Sequence, residues 1–163
     1  MKIYLKIILA ILAAFVLHTL FWEISNKIFL VVNLFTIIVI YFAVLKGEIY
    51  GAVTGSVCGL IQDSFSLGIF GVAGLATTII GYLAGIISRK IYVMSFFKIF
   101  LFIFTLTVFQ LAVWRLIHSF IFSEPFLSGS TFILFQPFFN ALVGGLLFPI
   151  FRKFLRSSPM ESQ

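Results

Sequence analysis

The sequence has few charged residues and almost no cysteine. Of its 163 residues, 10% are charged and 62% are hydrophobic, and the mean hydropathy is +1.22. A soluble domain carries roughly 25% charged residues, because polar groups must cover its surface. This composition therefore excludes a water-soluble domain and indicates an integral membrane protein. The single Cys58 excludes an internal disulfide and leaves the redox compartment open.

Sequence motifs that support catalysis are also missing. The chain contains no Gly-x-Ser-x-Gly nucleophile pattern and no Gly-x-x-x-x-Gly-Lys-Ser/Thr phosphate loop. No histidine, cysteine or aspartate spacing suits a metal, and His18 is interpreted as a satisfied interfacial side chain. We therefore expect no enzymatic activity, no cofactor and no metal. The net charge of +6 would suggest nucleic acid in a soluble protein. Here the cations lie at the ends of apolar runs, so we expect no nucleic-acid binding.

Six apolar runs occupy nearly the whole chain. Because a membrane-spanning helix needs about 20 apolar residues, they leave no room for a soluble domain. The expected fold is an all-α, polytopic membrane helix bundle of six transmembrane helices, at residues 3–22, 28–45, 49–62, 67–87, 96–122 and 131–151. One transmembrane domain would cover 1–156, with a short flexible cytoplasmic tail at 157–163. The first run could instead be a signal peptide, but its length and the absence of a small-residue cleavage site favour a retained helix.

The third run is short, and it is the weakest of the six. At roughly 21 Å it is shorter than a bilayer core, which leaves a re-entrant segment as the alternative to a full span.

The positions of the cations predict the orientation of the bundle. With a cytoplasmic N-terminus and six crossings, nine cations lie inside and two lie outside. Such an excess on short loops is the positive-inside pattern, and it predicts that both termini are cytoplasmic. The inner set is Lys2, Lys6, Lys46, Arg89, Lys90, Lys98, Arg152, Lys153 and Arg156, and the outer set is Lys27 and Arg115.

Glycines recur every fourth residue in the third run, and a shorter repeat occurs in the fourth. Residues four apart on a helix lie on one face, so each repeat would let another backbone approach closely. We expect the third and fourth spans to pack as a tight hairpin. The alternative is an interface for a partner helix. The glycines are Gly47, which precedes the third run, Gly51, Gly55 and Gly59 within it, and Gly81 and Gly85 in the fourth.

Three polar residues are predicted to form a brace on the outer side. Asp63 follows the third run, and a carboxylate at membrane depth usually has a partner or a function. It could be an ion or proton site, a cap on the fourth helix, or an ion pair with Arg115. Arg115 and His118 are three residues apart and share a helix face. Arg115 could extend toward the outer surface or anchor the outer loops or a partner.

In residues 41–85 a glycine-rich run leads into Gly59, Leu60 and Asp63, followed by Gly68 and Gly71. This stretch resembles the MreD family of rod shape-determining membrane proteins. That family typically has a glycine-rich third span that runs into Gly-Leu-x-x-Asp and then a glycine-containing turn. Near the end, Gln136-Pro137-Phe-Phe-Asn140-Ala141, Phe148-Pro149 and a basic tail look like the last span of the family. One departure is Val32-Asn33-Leu34, where MreD proteins often carry Pro-Asp.

The resemblance implies a non-enzymatic scaffold of the bacterial cell-elongation complex in the inner membrane. Its implied partners are MreC, a single-span protein, and, directly or indirectly, the MreB filament and the peptidoglycan polymerase and transpeptidase. The implied fold is similar to the substrate-binding subunits of energy-coupling-factor vitamin transporters. The alternative function is therefore a small-molecule-binding transporter subunit. It would require polar residues to converge from several spans, and the candidates are Asn33, Thr36, Gln62, Gln110 and Asn140.

Overall fold

Six helices make up the described part of the chain. The computed structural model describes residues 2–24, 32–65, 70–90, 95–122 and 131–156, and none of these residues is in a strand. The predicted all-α class is confirmed, whereas the predicted tail at 157–163 lies outside the described residues. The helices are α1 (Lys2–Ile24), α2 (Leu34–Lys46), α3 (Glu48–Phe65), α4 (Val72–Lys90), α5 (Phe96–Phe122) and α6 (Gln136–Arg156), with a 3-10 turn at Thr131–Phe135.

Three of the described helical segments are long and apolar enough to cross a membrane. They are Val72–Lys90, Phe96–Ile121 and Ile133–Phe154, and two shorter apolar segments are Tyr4–Leu20 and Leu34–Lys46. Large apolar side chains are exposed along α1, α5 and α6, as in Leu12, Leu101 and Leu146. A surface of this kind needs a lipid environment.

The third helix is longer than the sequence predicted. It has 18 residues and therefore extends about 27 Å, close to the roughly 30 Å of a bilayer core. Glu48 begins the helix, where a carboxylate is favoured by the helix dipole. Asp63 lies within the last turn of this helix.

The turn between α2 and α3 contains Gly47, which has a φ of 100°. Its N–H donates to the Ala43 carbonyl at 2.9 Å, so it ends α2 in a left-handed conformation that favours glycine.

Helix α2 lies at the centre of the bundle and contacts all five other helices. One side, with Ile40 and Tyr41, packs against residues of α4, α5 and α6. The other side, with Phe35 and Phe42, packs against α1 and against Cys58 of α3. A helix that is apolar on all sides is stable only when it is surrounded, which explains the central position of α2.

The bundle has a basic end and a polar end. At the basic end the Lys6 ammonium donates to the Phe154 carbonyl at 2.6 Å, joining the start of α1 to the end of α6. At the polar end the His18 ring lies 5.0 Å from Phe35 and 5.3 Å from Phe65, joining α1, α2 and α3. The start of α1 and the end of α6 therefore share one end of the molecule, as a six-span arrangement requires.

Candidate functional site

The α3–α4 seam is the closest contact between two helices, and glycines form it. A Cβ built on Gly51 would overlap the Gly81 carbonyl oxygen, and one built on Gly81 would overlap the Gly51 carbonyl oxygen. A Cβ on Gly55 would overlap the Thr77 carbonyl group. Backbone therefore touches backbone at the middle of the seam, and no side chain of any kind fits between the two helices there.

The seam extends over the whole length of the two helices. Toward the polar end, a Cβ on Gly59 would overlap Gly74 and lie 2.6 Å from the Ala73 carbonyl oxygen. Toward the basic end, a Cβ on Gly85 would overlap the Glu48 backbone. Helix α3 thus runs antiparallel beside a helix long enough to span the bilayer.

Five of the six predicted glycines are therefore enclosed between two helices of the same chain. Gly51, Gly55, Gly59, Gly81 and Gly85 face the neighbouring helix of the same molecule, and a partner helix cannot reach them. Gly47 is different, because it lies in the turn before α3 and takes no part in the seam.

Two polar contacts support the seam. The Thr77 hydroxyl lies 2.6 Å from the Gly55 carbonyl oxygen across the seam, and hydrogen bonds of this type between membrane helices contribute about 0.6–2 kcal/mol. At the basic end an Arg89 nitrogen lies 2.7 Å from a Glu48 oxygen. Arg89 is mostly exposed, so this ion pair contributes little to stability.

Asp63 caps helix α4 from the end of α3. Its carboxylate accepts hydrogen bonds from the backbone N–H groups of Gly71 at 2.9 Å, Ala73 at 3.0 Å and Gly74 at 3.0 Å. The side chain is buried. A carboxylate that receives unpaired N–H groups at a helix start is favoured by hydrogen bonding and by the helix dipole. Of the three alternatives given for Asp63, this geometry is that of a cap on the next helix.

Arg115 and His118 contact an aromatic ring on their own helix. The Arg115 guanidinium lies 5.7 Å from the centre of the Trp114 ring. The His118 ring stacks on the same ring at 5.1 Å. Arg115 thus packs on Trp114, whereas the Asp63 carboxylate accepts from backbone N–H groups at the start of α4.

Asn33 joins three helices at the polar end. Its side-chain oxygen accepts from the Thr36 N–H at 3.1 Å, which caps α2, and from the Gln62 amide at 2.7 Å. Its own N–H donates to the Asn140 side-chain oxygen at 2.7 Å. This joining role was not predicted from the sequence, although an asparagine directly before an apolar run is a signal for a helix start.

A cavity of about 220 Å³ opens at the polar end. Its wall is formed by residues of α1, α3, α4, α5 and α6, by the 3-10 turn before α6 and by the residues just before α2, so it lies where helix ends meet. Its lining residues within the described chain are His18, Val32, Asn33, Gln62, Asp63, Phe65, Ala73, Gln110, Leu111, Trp114, Ile133 and Gln136.

The lipid-exposed apolar surface and the all-helical bundle define a polytopic membrane protein. The chain belongs to the MreD family, described as rod shape-determining protein MreD, because the family model matches residues 1–158. It is accordingly a rod shape-determining membrane protein, of a family not known for enzymatic activity. A search of the curated proteins and a search of the solved structures found no match. The expected likeness to energy-coupling-factor subunits therefore stays a prediction.

Proposed function

We propose that this chain is a non-enzymatic scaffold subunit of the bacterial cell-elongation complex. It would lie in the inner membrane with both termini in the cytoplasm, and bind a single-span partner such as MreC through a helix face. Through this partner or directly, it would meet the MreB filament and the peptidoglycan polymerase and transpeptidase. The observation that carries the proposal is the family match over residues 1–158.

The surface left for a partner is a lipid-exposed helix face, because the seam glycines are enclosed by the chain itself. Helix α3 presents such a face, formed by Ile49, Val53, Val57 and Leu60, which we call the α3 ridge. Their exposed fractions are 70%, 55%, 42% and 39%, and their spacing places them on one side of the helix. The last residue of the ridge, Leu60, also borders Gly74 of α4.

Three properties make the α3 ridge suitable for a partner helix. Three of its residues are β-branched, so they lose little rotamer freedom when they are packed. The small residues Ala52 and Ser56 are only partly buried and lie beside it. In lipid, helices associate by close packing without a hydrophobic driving force, so the small residues beside the ridge would let a partner helix approach closely. The seam fixes the other side of α3, so the α3 ridge is presented in one orientation.

The basic end would interact with the membrane surface. Lys90, Lys98 and Lys153 are exposed there, and each cation near an anionic leaflet contributes about 1 kcal/mol. These lysines would hold the basic end at the cytoplasmic leaflet, which agrees with the orientation that the cation distribution predicts.

Co-purification with MreC after mild detergent extraction tests the proposal. We expect MreC to remain bound to the unaltered chain and to be lost from a double variant of the α3 ridge, Val53→Trp with Val57→Trp. The matched control is Leu101→Trp with Val108→Trp on α5, two lipid-exposed positions with similar exposure. Failure of MreC to bind the unaltered chain would contradict the scaffold role. Equal binding by both double variants would contradict the choice of face.

The alternative function, a substrate-binding subunit of a vitamin-type transporter, has one observation in its favour. Polar residues from several helices converge at the polar end, as that function requires. A vitamin retained through purification would support this alternative over the scaffold.

A further inference from the structure

We propose that the cavity at the polar end is a binding site for one uncharged, sugar-sized ring that carries hydroxyl and amide groups. The inference does not depend on the scaffold role, because it follows from the groups that line the cavity.

Carboxamide side chains are concentrated at this cavity. The described residues include five of them, and four line the cavity from different parts of the bundle: Asn33, Gln62, Gln110 and Gln136. The fifth, Asn140, is fully buried and accepts a hydrogen bond from the Asn33 backbone. A carboxamide both donates and accepts hydrogen bonds, as do hydroxyl and amide groups, so the cavity matches a neutral ligand with mixed donors and acceptors.

Gln110 provides the most direct indication of a ligand. Its side chain is only 8% exposed and lines the cavity. Its carboxamide oxygen is enclosed behind the cavity wall and has no hydrogen-bond partner among the described residues. A buried acceptor without a partner lowers stability, and an apolar side chain of similar size would not have this cost. A rotation of the Gln110 side chain that turns this oxygen toward the cavity would let a ligand donate a hydrogen bond to it and remove the deficit.

The lining favours an uncharged ligand. No lysine or arginine is among the described lining residues, so an anion would lose its hydration without gaining a counter-charge. The carboxylate of Asp63, the charged group of the described lining, receives three backbone N–H groups. A cation would have to compete with that cap.

The size and the aromatic residues of the cavity indicate a single ring. At roughly 30 Å³ per water molecule, a volume of about 220 Å³ corresponds to about seven waters. Pockets for drug-sized molecules are larger, at about 300–1,000 Å³. Trp114 and Phe65 add apolar surface against which the C–H groups of a ring can pack. With the termini in the cytoplasm, as proposed above, such a ring would arrive as a free molecule outside the cell or as the head group of an outer-leaflet lipid.

Binding to the full chain in lipid nanodiscs tests the site. The probes are N-acetylglucosamine, which is neutral, glucosamine, which is cationic, and N-acetylglucosamine 6-phosphate, which is anionic. A fourth probe, a dialkyl N-acetylglucosaminide within the nanodisc, represents the lipid source. We expect the neutral ring to bind, free or lipid-linked, and both charged sugars to bind at least about tenfold more weakly.

The variant Gln110→Leu tests whether the sugar binds in this cavity. We expect it to weaken neutral-sugar binding about tenfold, the effect of one lost hydrogen bond, without lowering the unfolding temperature of the empty protein. Val108→Leu, a lipid-exposed neighbour, should change neither quantity. If Gln110→Leu does lower the unfolding temperature, Gln136→Leu in the same lining serves as the second binding variant.

The proposal is overturned if neither neutral probe binds, if the charged sugars bind equally well, or if neutral-sugar binding is unchanged in a folded Gln110→Leu or Gln136→Leu protein. Because MreC binding is measured separately, none of these results would by itself contradict the scaffold role.

Discussion

Gly51 and Gly81 face each other across the α3–α4 seam, each occupying the space in which the other's side chain would lie. Their contact fixes the separation of the two helices at the minimum that backbone geometry allows. Close contact with α4 recurs at Gly55 and Gly59, so it continues along most of the two helices.

The first prediction concerns the size limit at the seam. Gly51→Ala or Gly81→Ala should lower the free energy of unfolding by about 1–3 kcal/mol, because the added methyl group must displace backbone atoms of the facing helix. The measurement is unfolding of the purified protein in mixed detergent. Val53→Ala, which changes an exposed residue of the same helix, is the control and should remain within about 0.5 kcal/mol of the original protein. Equal stability of the glycine and control variants would refute the seam.

The second prediction concerns the cap at the start of α4. Asp63→Ala leaves three backbone N–H groups without their acceptor, and should cost about 1–2 kcal/mol of stability. Arg115→Ala should cost less, because that guanidinium is held against Trp114 and not against the carboxylate.

A charge exchange separates the cap from an ion pair. The double variant Asp63→Arg with Arg115→Asp should not recover the stability that Asp63→Arg loses, since an arginine cannot accept the three N–H groups. Recovery in the double variant would show that the two side chains act as a pair and would contradict the cap.

The third prediction concerns the hydrogen bond between Asn33 and Gln62. Because the two side chains contact each other at 2.7 Å, the effects of Asn33→Ala and Gln62→Ala should not add. We expect a coupling energy of about 0.5–1.5 kcal/mol in a double-mutant cycle. The matched control cycle combines Asn33→Ala with Ser88→Ala. Ser88 lies at the basic end, so the effects of these two substitutions on stability should add. A coupling no larger than that of the Ser88 cycle would mean that the bond is absent.

Periodicity predicted a tight hairpin of the third and fourth spans, with a partner interface as the alternative, and the structure supplies the contacts that distinguish the two. A glycine every fourth residue predicts a flat helix face, but it does not distinguish a neighbouring helix from a partner. Gly47 continues the repeat in sequence and still lies outside the seam, since a φ of 100° places it in a turn.

The polar end was less predictable. A cap for α4 could be inferred from Asp63, because a carboxylate after an apolar run suggests one. The joining of Asn33 to Asn140, 107 residues later, and to Gln62 depends on how three helices pack. The cavity likewise depends on the relative positions of helix ends, which spacing within one helix does not determine.

The most direct test of the scaffold account is photocrosslinking in living cells, with a photoreactive amino acid at Val57 of the α3 ridge and, as the matched control, at Leu101 of α5. Both positions are lipid-exposed, so they differ in the helix face and not in burial. The account predicts a covalent adduct with MreC from position 57 and none from position 101. Adducts from position 101 alone, or from neither position while MreC is present in the membrane, would contradict it.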